Sequence, residues 1–187
     1  MGEFEYRHRI SLRPLQEKDA GLMFEWLSDQ DNIQYLQLAR RSFSLEDAQK
    51  YIRKSWTDTM NKHYAIVDEQ DEYMGTASLK NLDEHNKNAE YAITLRRKAM
   101  GRGIAGQALK QVLPIAFLDL SLHKVYSNVL SGNKKSISML IKAGFIQEGT
   151  FVEHVHLHGK FENLEWYRLL REEWFNSERD HQDGGEN

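Results

Sequence analysis

The stretch that decides the fold of this chain is Gly101-Arg102-Gly103-Ile104-Ala105-Gly106. Glycine lets the backbone turn sharply and brings bare N–H groups close to a phosphate. Residues 90–95 before it read as a strand, and residues 107–120 after it carry apolar side chains at helical spacing. Because the first turn of a helix favours negative charge, a strand, a glycine loop and a helix in this order predict a phosphate site.

The same six residues match the G-x-G-x-x-G fingerprint of dinucleotide-binding folds. That fingerprint needs an acidic residue about 20 positions on, at the end of the second strand, to hold a ribose. Here the next predicted strand, Lys124–Leu130, ends in Ser131-Gly132-Asn133, and Asp119 in the intervening helix comes too early. A dinucleotide site is therefore a minor alternative, as is a glycine-rich helix start that binds no ligand.

Three motifs follow one another in the order and at the spacing of a known family. They are Gly101-x-Gly103-x-Ala105, Asn133-x-x-Ser136 and Lys142-x-Gly144-Phe145-x-x-Glu148-Gly149. On these motifs the chain resembles the GNAT superfamily of acetyl-CoA-dependent N-acetyltransferases. It is most similar to the branch of ribosomal-protein N-terminal, spermidine and amino-sugar acetyltransferases. The resemblance extends from Ile10 to Trp174, and the ordered set of motifs is far more specific than any one of them.

The resemblance implies an α/β (α+β) fold. Its centre is a mixed, mostly antiparallel sheet of about seven strands with a splayed central pair, flanked by about four helices. A chain of 187 residues is within the range of one domain, and we predict a single acetyltransferase domain over residues 1–175. Residues 176–187 are polar and acidic and contain glycine, which predicts a disordered tail.

Local patterning predicts the elements around the glycine loop. Ser44 has the sequence of a helix N-cap, and the residues after Phe145 alternate as in a long hairpin. The predicted strands are 10–14, 63–67, 73–79, 90–95 and 124–130, and the predicted helices are 19–27, 45–56, 107–120 and 136–143.

Composition excludes several other classes of protein. Cysteine is absent, so the chain has neither a disulfide framework nor a thiol nucleophile. No apolar run is long enough to span a bilayer, and residues 1–11 lack the apolar core of a signal peptide. The net charge of −3 gives no global attraction for nucleic acid. We expect a cytoplasmic enzyme without nucleic-acid or membrane partners, and the resemblance allows a homodimer.

The resemblance also implies a direct transfer of the acetyl group from acetyl-CoA to an amine. Pantetheine would lie along residues 90–95, the glycine loop would cradle the pyrophosphate, and Asn133 would hydrogen-bond the coenzyme. Four cations, at positions 96–98 and 102, surround the loop and favour contact with phosphate. The coenzyme-binding residues implied are Ile93, Thr94, Leu95, Arg97, Lys98, Gly101, Arg102, Gly103, Ile104, Ala105, Gly106, Asn133 and Ser136.

Such a reaction needs a base, because an amine of pKa about 8–10 is mostly protonated at neutral pH. Glu90 is the candidate base, since the resemblance places it on the strand next to the thioester. Many family members have a tyrosine before G-F that protonates the leaving thiolate, but this chain has Met139-Leu140 there. Ser136 or Ser138, a tyrosine from elsewhere, or water must then serve as the acid.

The sequence leaves the acceptor open among a small amine or polyamine, an amino sugar and a peptide N-terminus. The acidic pair Asp83-Glu84, together with Glu90, would suit a polycation. The missing tyrosine keeps a second interpretation open, namely a non-catalytic acyl-CoA-binding domain of the same fold. No metal site is predicted: the three histidines at positions 154, 156 and 158 would share one strand face, but no fourth ligand is evident.

Overall fold

The computed structural model describes residues 9–29 and 43–183. Its strands are β1 (Ile10–Pro14), β2 (Lys62–Asp68), β3 (Tyr73–Asp83), β4 (Asn88–Leu95), β5 (Lys124–Leu130), β6 (Ile146–Leu157) and β7 (Lys160–Leu170). Within the described residues the α-helices are α1 (Ala20–Leu27), α2 (Leu45–Ser55), α3 (Ile104–Pro114), α4 (Lys134–Lys142) and α5 (Arg171–Asp183). A π-helical turn, Ile115–Asp119, continues α3, and a short 3-10 helix, Arg97–Ala99, follows β4.

The seven strands have the hydrogen-bonded order β1-β2-β3-β4-β5-β7-β6. The pairs β1/β2, β5/β7 and β6/β7 are antiparallel, whereas β4 and β5 are parallel. This confirms the predicted α/β fold with a mixed, mostly antiparallel sheet of seven strands. The described residues contain five α-helices where about four were expected. None of these helices is long and apolar enough to cross a membrane.

Contacts divide the chain into two compact units, each built from two separate segments. The first unit combines Met1–Ser78 with Ala92–Val112, and the second combines Leu79–Tyr91 with Leu113–Asn187. Strands β3 and β4 therefore begin in one unit and end in the other. The single domain over residues 1–175 stays a prediction.

The first unit packs α1 and α2 on β2 and β3 around an apolar core. Its side chains include Met23 and Trp26 of α1 and Ile52 of α2. The Trp26 indole N–H donates to the Tyr73 hydroxyl at 3.1 Å, so the polar atom of this buried ring is satisfied. The predicted cap of α2 is confirmed: the Ser44 hydroxyl accepts from the backbone N–H of Asp47 at 3.1 Å.

The second unit contains the parallel contact of the sheet and the long hairpin. Strands β4 and β5 pair at Asn88–Lys124, Ala89–Val125 and Glu90–Tyr126. Strand β7 then pairs with β5 along its length and with β6 on its other edge. A core of Leu130, Val155 and Leu164 joins these three strands, and Phe117 packs on Trp174 of α5 with ring centroids 5.4 Å apart.

The C-terminal segment differs from its prediction, because α5 runs to Asp183 and residues 176–183 are therefore helical. Trp174 is buried and anchors the helix. The carboxylate of Glu173 accepts a hydrogen bond from the backbone N–H of Leu170 at 2.9 Å and a second from Arg168. This acidic first turn stabilises a helix start. The polar residues that follow then continue the helix, although their composition alone indicates disorder.

Candidate active site

The last half of β4, in the first unit, is the strand segment predicted to hold pantetheine. Ala92, Ile93, Thr94 and Leu95 are all half-buried, whereas buried and half-buried residues alternate in the first half of β4. On the β3 side the backbones approach closely, since a Cβ added to Gly75 would lie 2.2 Å from the Thr94 carbonyl oxygen. The absence of a side chain at Gly75 therefore allows β3 and β4 to approach closely at Thr94.

The glycine loop follows β4 as an exposed turn. Gly101 and Gly103 have φ values of +72° and +77°, a region that L side chains rarely adopt. The carbonyl of Gly103 accepts the N–H of Gln107 at 3.1 Å, so the helix begins at Ile104, three residues earlier than predicted. The backbone N–H groups at the start of such a helix have no partner within the helix. The predicted anion-binding feature therefore comprises two left-handed glycines and the first turn of α3.

The cations beside this loop have carboxylate partners in the first unit. Arg97 donates from Nε and Nη2 to Asp29 at 2.9 and 3.0 Å, and Lys98 pairs with Glu72. Arg102 donates weakly to the backbone carbonyl of Lys98 at 3.4 Å. The sequence showed the cluster of cations but not these acids, because the acids come from distant parts of the chain.

A cavity of about 250 Å³ opens beside the same loop. Arg9, Lys98 and Arg102 contribute cations to its lining, and Asp68 and Glu69 contribute carboxylates. Its lining thus combines three cations with two carboxylates. The backbone N–H groups of the loop and of the helix start remain the stronger anion-binding feature.

Glu90, the candidate base, lies on the first half of β4 in the second unit. Its carboxylate is 12 % exposed and accepts from Lys80 Nζ and from Asn81 Nδ2, each at 3.0 Å. Tyr126 stands opposite it in the parallel register. Burial, with a smaller contribution from the Glu90 charge, raises the pKa of Tyr126. Glu90 is thus held in a fixed, partly buried position by these two contacts.

A row of aromatic rings in the second unit extends away from Tyr126. The Tyr126 and Trp166 rings stack with centroids 4.8 Å apart, and Phe151 meets Trp166 edge-on at 5.8 Å. His154 packs on Phe151 at 5.1 Å. The sequence analysis missed this row, because it appears only once the register of β5, β6 and β7 is known. It offers an apolar surface beside Glu90.

Asn133 and Ser136 lie at the start of α4. The Asn133 side-chain oxygen accepts the backbone N–H of Ser136 at 3.2 Å, so Asn133 is the N-cap of this helix. Its side-chain NH₂ group is the part left for a ligand. Ser136 is half-buried. Met139 and Leu140 occupy the position of the family tyrosine, and Leu140 is 1 % exposed in the core. An acid from that position is excluded in this chain.

His154 and His156 lie on β6, whereas His158 lies beyond the end of that strand at Leu157, so the three histidines do not form a row along one strand face. A bulge between Phe151 and Val155 breaks the alternation of the strand. His154 packs on Phe151, His156 packs on Phe161 directly opposite, and His158 lies in the turn with a φ of +51°. Across residues 9–29 and 43–183, no group of three or more His, Cys, Asp or Glu side chains could hold a metal ion.

Comparison with known proteins identifies the family of this chain. The model of the acetyltransferase (GNAT) domain family matches residues 9–146, which is most of the chain. The chain belongs to the GNAT acetyltransferase family. The predictions of the family, of its fold and of an acetyltransferase are thereby confirmed, and the dinucleotide-binding fold is ruled out as the architecture.

Two relatives illustrate the branch. The spermidine N(1)-acetyltransferase of Vibrio cholerae is 23 % identical over 168 residues, which cover 90 % of this chain and 96 % of the relative. A Bacillus subtilis protein, YdaF, provisionally named a ribosomal N-acetyltransferase, is 28 % identical over 170 residues, which cover 88 % and 93 %. Both names fall in the branch that the motifs indicated.

A solved structure shows the same fold. The spermidine N-acetyltransferase of Vibrio cholerae, crystallised with CoA and spermine, superposes with a TM-score of 0.83. The match covers 89 % of this chain and 98 % of that one, at 22 % sequence identity. This GNAT acetyltransferase therefore shares the architecture of an enzyme whose structure contains CoA and a polyamine.

Proposed function

We propose that this protein transfers the acetyl group of acetyl-CoA directly to a primary amine. The observation that carries the proposal is the exposed glycine turn, with two residues at positive φ, at the start of α3. Such a turn presents bare backbone N–H groups to an anion, as a pyrophosphate requires. Family membership and the CoA bound to the Vibrio cholerae structure support the choice of coenzyme.

In this proposal the first unit provides the coenzyme-binding residues. The backbone of Ile93–Leu95 pairs with the pantetheine amides as an added strand would. The N–H groups of the loop and of the first helical turn hold the pyrophosphate. Arg102, between the two glycines of the loop, is the cation nearest to these groups in the sequence. The proposed cradle is completed by Gly101, Gly103, Ile104, Ala105 and Gly106.

The reaction needs one proton acceptor and one proton donor. Glu90 accepts a proton from the ammonium, directly or through water, and the neutral amine attacks the thioester carbonyl. The tetrahedral oxyanion collapses and the C–S bond breaks, while the attacking nitrogen loses its second proton to give the neutral amide. The thiolate leaves with a proton from Ser136 or from water, and the proton lost by the nitrogen replaces the one that was donated. No acyl-enzyme forms, so the amide product and free CoA are released together. No metal is needed for these steps.

A polyamine is the acceptor that we favour. Glu84 is exposed, and backbone and side-chain hydrogen bonds from Asn86 lower the pKa of Asp83. Glu90 lies on the next strand, and the aromatic row beside it could cover the methylene chain of an alkylamine. Three of the relatives carry the name spermidine N(1)-acetyltransferase. The homodimer and the cytoplasmic location stay predictions.

Calorimetry with two nucleotides tests the coenzyme assignment. Acetyl-CoA is expected to bind in the micromolar range and, in large excess, to stabilise the fold by about 2–4 kcal/mol. NADH and NADPH are expected to show no saturable binding, because β5 is not followed by a carboxylate that could hold a ribose. Submicromolar affinity for either nicotinamide nucleotide, without binding of acetyl-CoA, would contradict the proposal.

A further inference from the structure

Two consecutive arginines after β4 form hydrogen bonds with carboxylates at the C-terminal end of α1. Arg96 donates from Nε and Nη2 to the two carboxylate oxygens of Glu25 at 3.3 and 2.7 Å. Arg97 donates from the same two atoms to both oxygens of Asp29 at 2.9 and 3.0 Å. Glu25 lies in the last turn of α1, and Asp29 lies two residues beyond the end of that helix. Paired bidentate contacts of this kind fix orientation as well as distance.

Arg96 also forms hydrogen bonds with β3 and with the residue before it. Its side chain is 7 % exposed, and Nη1 donates to Glu72 at 2.7 Å and to the Tyr73 carbonyl at 3.1 Å. Its backbone N–H donates to the Met74 carbonyl at 2.8 Å. Burial lowers the pKa of Arg96, but the hydrogen bonds to the two glutamates outweigh it, so the net pKa is raised. The guanidinium is therefore a fixed cation that joins α1, β3 and β4.

We call the contacts of Arg96 and Arg97 with Glu25 and Asp29 the clamp. Its position in the chain indicates a role. Leu95 ends the strand segment that we assign to pantetheine, and Gly101 begins the loop that we assign to pyrophosphate. The clamped residues lie between the two, so they set the direction in which the chain leaves β4 and enters the loop. A loop held in its binding conformation loses less conformational freedom when a ligand binds.

We propose that Arg96 and Arg97 are positioning residues, which hold the coenzyme loop in place by clamping it to α1. The inference rests on the proposed acetyl-CoA site. It gives Arg97 a different task from the phosphate contact implied by the family resemblance, because both oxygens of Asp29 engage its guanidinium. A phosphate contact by Arg97 would require that bidentate pair to break.

Reversing the charges of the Arg97–Asp29 pair distinguishes a positioning role of Arg97 from a direct contact with phosphate. The variants are Arg97→Asp, Asp29→Arg and the double variant, in which the pair is restored with its charges exchanged. The side chains are 63 % and 26 % exposed, and a surface ion pair contributes about 0–1 kcal/mol, so all three variants should fold. Arg53→Asp is the matched control, because Arg53 forms an exposed pair with Glu17 at 3.1 Å in the same unit.

Two readouts follow. The first is hydrogen exchange of residues 97–106 without any ligand: each single variant should exchange about tenfold faster, and the double variant should return close to wild type. The second is acetyl-CoA affinity: each single variant should bind about tenfold more weakly, and the double variant should recover to within about threefold. Arg53→Asp should change neither.

The outcomes that overturn the clamp are specific. Unchanged exchange in both single variants would show that the pair does not hold the loop. If Asp29→Arg binds normally and the double variant binds as weakly as Arg97→Asp, then Arg97 contacts the phosphate instead. If wild type fails to bind acetyl-CoA, the proposed function is wrong, while the ligand-free exchange measurement still decides the clamp.

Discussion

Replacing Glu90 by Gln is expected to lower kcat/KM for the amine by about 10²-fold, at the low end for loss of a general base. Gln keeps the shape of Glu and can still bond to Lys80 and Asn81, so folding should be preserved. Acetyl-CoA affinity should stay close to wild type, because the coenzyme contacts that we propose lie elsewhere. Steady-state kinetics together with calorimetry measure both quantities.

The pH profile identifies the reason for the loss. As pH rises toward the pKa of the amine, more acceptor is already neutral in solution, so the variant should approach wild type. Glu148→Gln is the matched control, since Glu148 is another strand carboxylate paired with a lysine, Lys124, in the second unit. Near-normal rates for Glu90→Gln between about pH 6 and 9 would show that Glu90 is not the general base. His154, His156 and Glu84 would then be examined.

Replacing Gly103 by Val is expected to abolish acetyl-CoA binding. The backbone of Gly103 has a φ of +77°, which a β-branched residue does not adopt without strain. The added side chain would also stand in front of the N–H groups that we assign to the pyrophosphate. Isothermal titration of wild type and variant with acetyl-CoA measures the loss.

Gly21→Val is the control for this substitution. Gly21 lies in α1 of the same unit, and a Cβ added there meets nothing within 4 Å. The control should bind acetyl-CoA like wild type, and thermal unfolding monitored by circular dichroism should show both variants folded. Equal affinity of wild type and Gly103→Val would refute the assignment of the phosphate loop.

Elements with strong local signals could be predicted closely. Strands β1 and β5 have the predicted bounds, because alternating apolar residues and clear turn residues delimit them. The cap at Ser44 followed from a short-range pattern of hydrogen bonds between neighbours in the chain. The glycine loop was located correctly. The start of α3 was predicted too late, because glycine and alanine in its first turn, which begins at Ile104, are typical of a loop.

Features that depend on distant residues could not be predicted. The clamp joins Arg96 to Glu25 across 71 positions and Arg97 to Asp29 across 68, and the sequence marks neither pairing. The aromatic row beside Glu90 depends on the register of the strands, because a slip of one residue would move each side chain to the opposite face of the sheet. The bulge of β6 next to His154 likewise arises from the pairing with β7.

Acetyl transfer by the purified protein tests the central claim most directly. The protein is incubated with acetyl-CoA and with spermidine, an amino sugar and a peptide in turn, while free thiol and the acetylated product are quantified. The account predicts that thiol release is saturable in the acceptor, matches the amount of N-acetylated amine and is fastest with spermidine. Binding of acetyl-CoA without thiol release in the presence of any of the amines would contradict it, and would indicate a non-catalytic acyl-CoA-binding domain instead.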